Sequence, residues 1–173
     1  SETLIKLKHL KKAIPILKNK NGLNYGNKKI TVSTSGIANK IQEAAEEIGT
    51  YLALSLHAPN DELREKIMPI NKKFKIQDLV KQLKYYTSIV KEPIFLEYVM
   101  LKGVNDTEHC AKQLVNLMAQ FPSKVNLIEF NSWPGVKFEP TERKDIEKFS
   151  KYIQDKGYMS FIRRSRGDDV LAA

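Results

Sequence analysis

The chain has 173 residues, 42% of them hydrophobic, and sets 29 basic against 20 acidic side chains for a formal charge of +9. That apolar share excludes a disordered chain, and no apolar run approaches the ~20 residues that span a bilayer. The single cysteine, Cys110, excludes an internal disulfide and points to a reducing compartment, the cytoplasm.

The length fits one domain or a large part of one. The positive excess points to a polyanion such as RNA or DNA rather than a membrane surface. Heavy lysine usage on solvated helix faces explains it equally well.

Residues 2–18 read as an amphipathic helix, with Leu7, Leu10, Ile14 and Leu17 at helical spacing and Pro15 interrupting it. A turn-rich loop follows at 19–27. The first strand is expected over 29–34, and a helix carrying Ile37, Ile41 and Ile48 ends at Gly49. The second strand is expected over 51–57, apolar at first and polar at Ser55 and His57. Asn60 or Asp61 then caps a short helix that stops before Pro69. A basic connector at 71–75 leads to a helix bearing Ile76, Leu79, Val80 and Leu83.

The third strand is expected over 94–101, and Asp106 is the expected N-cap of a helix over 107–120. The fourth strand is expected over 124–130 and opens into a loop at 131–135. Thr141 is the expected cap of a helix over 142–156, closed by Gly157, and a fifth strand is expected over 158–163. Strands of this length alternating with helices mark an α/β chain of parallel (β/α) units. Five strands are too few for a closed eight-stranded barrel. An open sheet and the later part of a barrel both remain compatible with the pattern.

Parallel sheets bind ligands beyond the carboxyl ends of their strands. Here those ends carry Ser33 and Ser35, Ser55 and His57, Asn131, and Arg163, Arg164 and Arg166; the third strand's end, Tyr98-Val99-Met100, stays apolar. Hydroxyls, an amide and an imidazole at one rim suit an amino-acid-like or nucleoside-like ligand, though strands leaving a core are often polar anyway. His57 can be a metal ligand, a base, a hydrogen-bonding wall residue or simply a satisfied, partly buried histidine. No His or Cys stands near it at ligand spacing, so no metal site is expected.

Cys110 and His109 read as ordinary helix residues. Glu97 sits in an apolar strand and points either inward, paired, or outward to solvent. Thr34-Ser35-Gly36 before a helix can cradle an anion, but it is not a P-loop. Lys72, Lys73 and Lys75 flank Phe74, and Arg163, Arg164 and Arg166 cluster in the tail, as RNA-binding surfaces often arrange cations and aromatics.

Taken in order, TVSTSG at 31–36, LSLHAPND at 54–61, PINKK at 69–73, EYVML at 97–101, GVND at 103–106, Glu108-His109, NLI at 126–128 with Phe130-Asn131, and RSRGDD at 164–169 resemble the RlmN/Cfr radical SAM RNA methyltransferases. The resemblance runs over nearly all the chain from Lys28 onward. It implies a C-terminal part of a radical SAM partial TIM barrel, made of a leading helix and loop (1–27), βα units (28–163) and a tail (164–173). By motif match, S-adenosylmethionine (SAM) would contact Ser33, Ser55, Leu56, His57 and Asn131. RNA would meet Lys72, Lys73, Arg163, Arg164 and Arg166. The implied reaction is methylation of adenine C2 in 23S rRNA and tRNA by a monomer free of the membrane, with Cfr-type C8 methylation as the alternative.

The family's CxxxCxxC motif for a [4Fe-4S] cluster and its GE motif do not occur in these residues. Its methyl-carrying cysteine is expected directly after Ala173. The expectation is therefore a fragment with no catalytic residue of its own, inactive alone and weak toward SAM. A non-enzymatic RNA-binding module and a phosphate-binding α/β enzyme are the other readings.

Overall fold

The structure, a computed structural model, describes residues 29–32, 51–68 and 75–164. Five strands form one parallel sheet: β1 (Lys29–Val32), β2 (Tyr51–Ser55), β3 (Ile94–Met100), β4 (Ser123–Glu129) and β5 (Met159–Arg164). They lie side by side in chain order, so the sheet grows in one direction, as the wall of a barrel does. Parallel neighbours need crossovers, and among the described residues helices supply them. They are α1 (Asp61–Ile67) and α2 (Ile76–Val90) between β2 and β3, α3 (Glu108–Met118), and α4 (Arg143–Asp155). None of these helices is long and apolar enough to cross a membrane.

The helix caps explain where α1 and α3 begin. Asn60 accepts the Leu63 N–H at 2.9 Å, one of the two caps anticipated for α1. Thr107, rather than Asp106, caps α3 by accepting the Cys110 N–H at 3.1 Å. Asp106 instead accepts the Gly103 N–H at 3.0 Å, closing a turn in which Gly103 has φ 70°. Its second oxygen accepts the Thr141 hydroxyl at 2.8 Å. Thr141 is thereby withdrawn from α4, whose cap position is Glu142 with no side-chain bond. The two expected caps thus bond to each other and tie the loop after β3 to the entry of α4.

Side-chain alternation sorts the sheet into two faces. Leu54, Leu96, Tyr98, Met100, Val125 and Leu127 pack under α2, α3 and α4 in the main core. The helices contribute apolar stripes to it: Leu79 and Leu83, Leu114 and Leu117, Ile146 and Phe149. Cys110 is buried here, 3% exposed, as a packing thiol. The opposite face carries Val99, Ile128 and Phe130, which join Ala58, Ile67 and Met68 in a second cluster. Glu97 belongs to this second face and is buried, which decides for the inward orientation. Register sets Ser55 beside Glu97, Glu97 beside Asn126, and Asn126 beside Phe161. One row across four strands is therefore mostly polar on the face turned away from α2, α3 and α4.

Candidate functional site

The end of β2 shapes the site. Regular pairing stops at Ser55, after which the backbone N–H groups of Leu56 and His57 both donate to the Glu97 carbonyl, at 3.0 and 3.2 Å. Two donors on one acceptor kink the strand, and His57 takes a left-handed φ of 59°. That conformation is uncommon outside glycine and persists only where surrounding bonds hold it. The His57 ring turns back over β3, and its Nδ1 accepts the Val99 N–H at 3.0 Å.

An amide can only donate, so Nδ1 must carry no proton and the ring is the neutral Nε2–H form. Burial, followed by the nearby Arg64 charge, pushes the His57 pKa down to about 3. Of the roles open to His57, metal binding or base chemistry at Nδ1 conflicts with that bond. A hydrogen-bonding wall residue with a donor at Nε2 remains.

Two residues absent from the sequence-based candidates hold this bend. Arg64 of α1 is fully buried and donates from Nε to the Leu56 carbonyl at 3.1 Å and from a terminal nitrogen to the Ser55 carbonyl at 2.9 Å. Burial lowers its pKa to about 10, partly offset by Asp61, so it stays charged at neutral pH. Asn105, also fully buried, donates to the carbonyls of His57 and Val99 at 2.8 and 2.7 Å and accepts the Leu101 N–H at 2.8 Å. The Tyr98 hydroxyl donates to the Asn105 carbonyl at 2.6 Å. One signal for Arg64 was available: it stands three residues before Ile67, on the inward stripe of a short helix. Nothing about the GVND loop marks Asn105 as the residue that joins two strand ends.

The remaining candidates divide. Ser55 is half-buried in the polar row. Leu56 is 1% exposed with its side chain in the main core, and its N–H and carbonyl are bonded to the Glu97 carbonyl and to Arg64, so its part is to shape the bend rather than to touch a ligand. Asn131 is exposed, two residues past the end of β4. Arg163 and Arg164 are exposed at the carboxyl end of β5, with the Arg163 guanidinium 5.1 Å from the Phe161 ring centre. Ser33, Lys72, Lys73 and Arg166 lie outside the described residues, as does the cradle at Thr34-Ser35-Gly36.

Asn126 is a further site residue that sequence pattern missed. It is buried in the polar row, and its Oδ1 has no hydrogen-bond partner among the described residues. A buried acceptor left open is costly unless a ligand donor meets it. The residues therefore fit a small ligand rich in hydrogen-bonding groups, such as an amino-acid-bearing nucleoside. They do not fit an iron–sulfur cluster. Cys110 is the one cysteine, it is buried in α3, and no group of three His, Cys, Asp or Glu among the described residues can hold a metal.

No protein-family model matches the chain. Among curated proteins it is similar to the dual-specificity RNA methyltransferases RlmN of Brucella anthropi and Mesorhizobium japonicum. Each is 44% identical over 99% of this chain. The chain spans 42% of the length of those relatives. Among solved structures it is similar to a radical SAM methyltransferase from Sphaerobacter thermophilus, with TM-score 0.78 and 35% identity, over 91% of this chain and 46% of the other. A domain of the pyruvate-formate lyase-activating enzyme from Bacteroides vulgatus shares the fold at TM-score 0.62 and 17% identity, over 91% of this chain and 92% of the other.

Proposed function

This chain belongs to the family of the RlmN radical SAM methyltransferases, and on that premise we propose that it forms the SAM-binding lip of an enzyme that methylates adenine C2 in 23S rRNA and in tRNA. SAM lies across the carboxyl ends of the strands. Ser33, Ser55, His57 and Asn131 hold it, with Leu56 fixing the bend that carries Ser55 and His57, and Asn126 takes one of its donor groups. Lys72, Lys73, Arg163, Arg164 and Arg166 face the RNA. The 1–173 stretch acts as one partial-barrel domain, monomeric and cytoplasmic.

SAM supplies the methyl group to the reaction. These residues bind it, orient it and keep water from one side of it; His57 does so as a fixed donor. The thiolates that a [4Fe-4S] cluster requires are not among the 173 residues, so the chain alone is inactive and binds SAM weakly. The observation that best supports the reading is the polar row Ser55–Glu97–Asn126 ending beside the locked His57, with an open acceptor at Asn126.

Titration of SAM into 15N-labelled protein tests it. The expected result is perturbation of the backbone signals of residues 55–57 and of the Asn126 and Asn131 side-chain amides, weakened by Ser55→Ala. Perturbation confined to the α2–α3 surface overturns the site. Formation of 2-methyladenosine by this chain from SAM and 23S rRNA overturns the expected inactivity.

A further inference from the structure

The loop after β4 carries Trp133, the only tryptophan in the sequence, and its side chain is 42% exposed. Every Phe and Tyr side chain among those described is buried or half-buried, so exposure of an indole at the ligand end of the sheet needs a reason. The ring is held rather than loose. Its edge-to-face partner is the buried Phe130, with centroids 5.5 Å apart and planes at 61°. The Trp133 carbonyl accepts the Val136 N–H at 3.1 Å, closing a turn in which Gly135 has φ 90°.

Its surroundings argue against a protein partner. Asn131, Ser132, Pro134 and Gly135 are exposed as well, giving one flat ring in a polar setting. A protein interface of standard size wants about 800 Å² per partner with an apolar centre. The strand next to β4 brings a cation to the same lip. Register sets the exposed Arg163 beside Ile128, on the face that carries Phe130, while Arg164 beside Glu129 falls on the helix face. A held, exposed aromatic with a cation on the adjoining strand is the chemistry that binds single-stranded nucleic acid: the ring stacks a base and the cation meets a phosphate.

We propose that Trp133 is the stacking platform for an unpaired nucleobase of the RNA, with Arg163 taking a flanking phosphate. This rests on the RNA-substrate reading above and adds to it the residue that selects an unpaired base over a duplex.

Because Trp133 is the sole tryptophan, its emission reports on the contact directly. The probe is a fluorescein-labelled RNA hairpin with an adenine loop, and a fully paired duplex of the same length is the control. Anisotropy reads binding. Tryptophan emission and its quenching by acrylamide, measured with the unlabelled RNAs, read the contact. The expected result is that the hairpin quenches Trp133 and shields it from acrylamide, and the duplex does neither. Trp133→Ala should weaken hairpin binding between about 5-fold and about 100-fold, Trp133→Phe should restore most of it, and both variants should keep the parent's circular dichroism.

If the hairpin binds while Trp133 emission is unchanged and Trp133→Ala binds equally well, the platform is overturned and the RNA reading stands. If no RNA binds, the RNA reading falls and the platform with it. Shielding of Trp133 that rises with protein concentration in the absence of RNA assigns the ring to a second copy of the chain and overturns the proposal.

Discussion

The Nδ1 atom of His57 accepts the backbone N–H of Val99 at 3.0 Å, across 42 residues of sequence. This bond fixes both the tautomer of the ring and the direction in which the end of β2 turns. It also makes stability depend on pH. The folded-state pKa is depressed, from the ordinary 6.5 to about 3, so below 6.5 the unfolded chain binds a proton that the folded chain refuses. The His57 contribution is therefore complete above pH 6.5 and is lost as pH falls from 6.5 toward 3, by about 1.4 kcal/mol per pH unit. Urea denaturation at several pH values should show this slope. In His57→Gln that component of the slope should vanish.

Arg64 tests how far the bend depends on α1. Replacing it with methionine keeps the length of the side chain and leaves the carbonyls of Ser55 and Leu56 without their guanidinium donors. The expected loss is on the order of 3 kcal/mol, measured by urea denaturation. Arg64→Lys keeps the charge but not the two-pronged geometry, and should lose less. If Arg64→Met denatures like the parent, the guanidinium does not hold the bend.

Asn105→Asp changes one atom. The new oxygen cannot donate to the carbonyls of His57 and Val99 that Asn105 Nδ2 now satisfies. It brings oxygen against oxygen in a fully buried place, so a loss of about 2–4 kcal/mol is expected. Amide exchange should locate the damage: the Val99 and Leu101 N–H groups lose protection before those of α4.

The Asp106–Thr141 bond should be measurable as a coupling. Asp106→Ala and Thr141→Val each remove one side of it, and a double-mutant cycle should give about 1 kcal/mol of interaction. Asp106→Ala should also cost more than Thr141→Val, because it frees the Gly103 N–H as well. A cycle that closes to zero would show that the two loops are held by other contacts.

Much of this molecule is written in local pattern. The alternation of short apolar runs with 3.6-residue stripes marks five strands and the described helices to within a few residues, because burying one face of each element is a local demand on spacing. The polarity of the carboxyl ends of β2, β4 and β5 follows from the same strings, and so do Ser55, His57 and Asn131 as site candidates; the side-by-side order of the strands came from the folded sheet. The ordered motifs named the family before any coordinate did.

Pattern could not reach bonds between groups distant in sequence. Asp106 and Thr141 are both good cap residues, and each looked like a cap; folding set them 2.8 Å apart and their oxygens bonded to each other. His57 read as a possible base or metal ligand until Val99, 42 residues away, occupied its Nδ1. Arg64 and Asn105 carry no motif that announces a role. Theirs comes from burial beside backbone carbonyls of other elements, where an unmet acceptor is expensive. Where polar residues fall at the strand ends is thus a matter of spacing along the chain, while what each can do there depends on partners that only the folded sheet brings within reach.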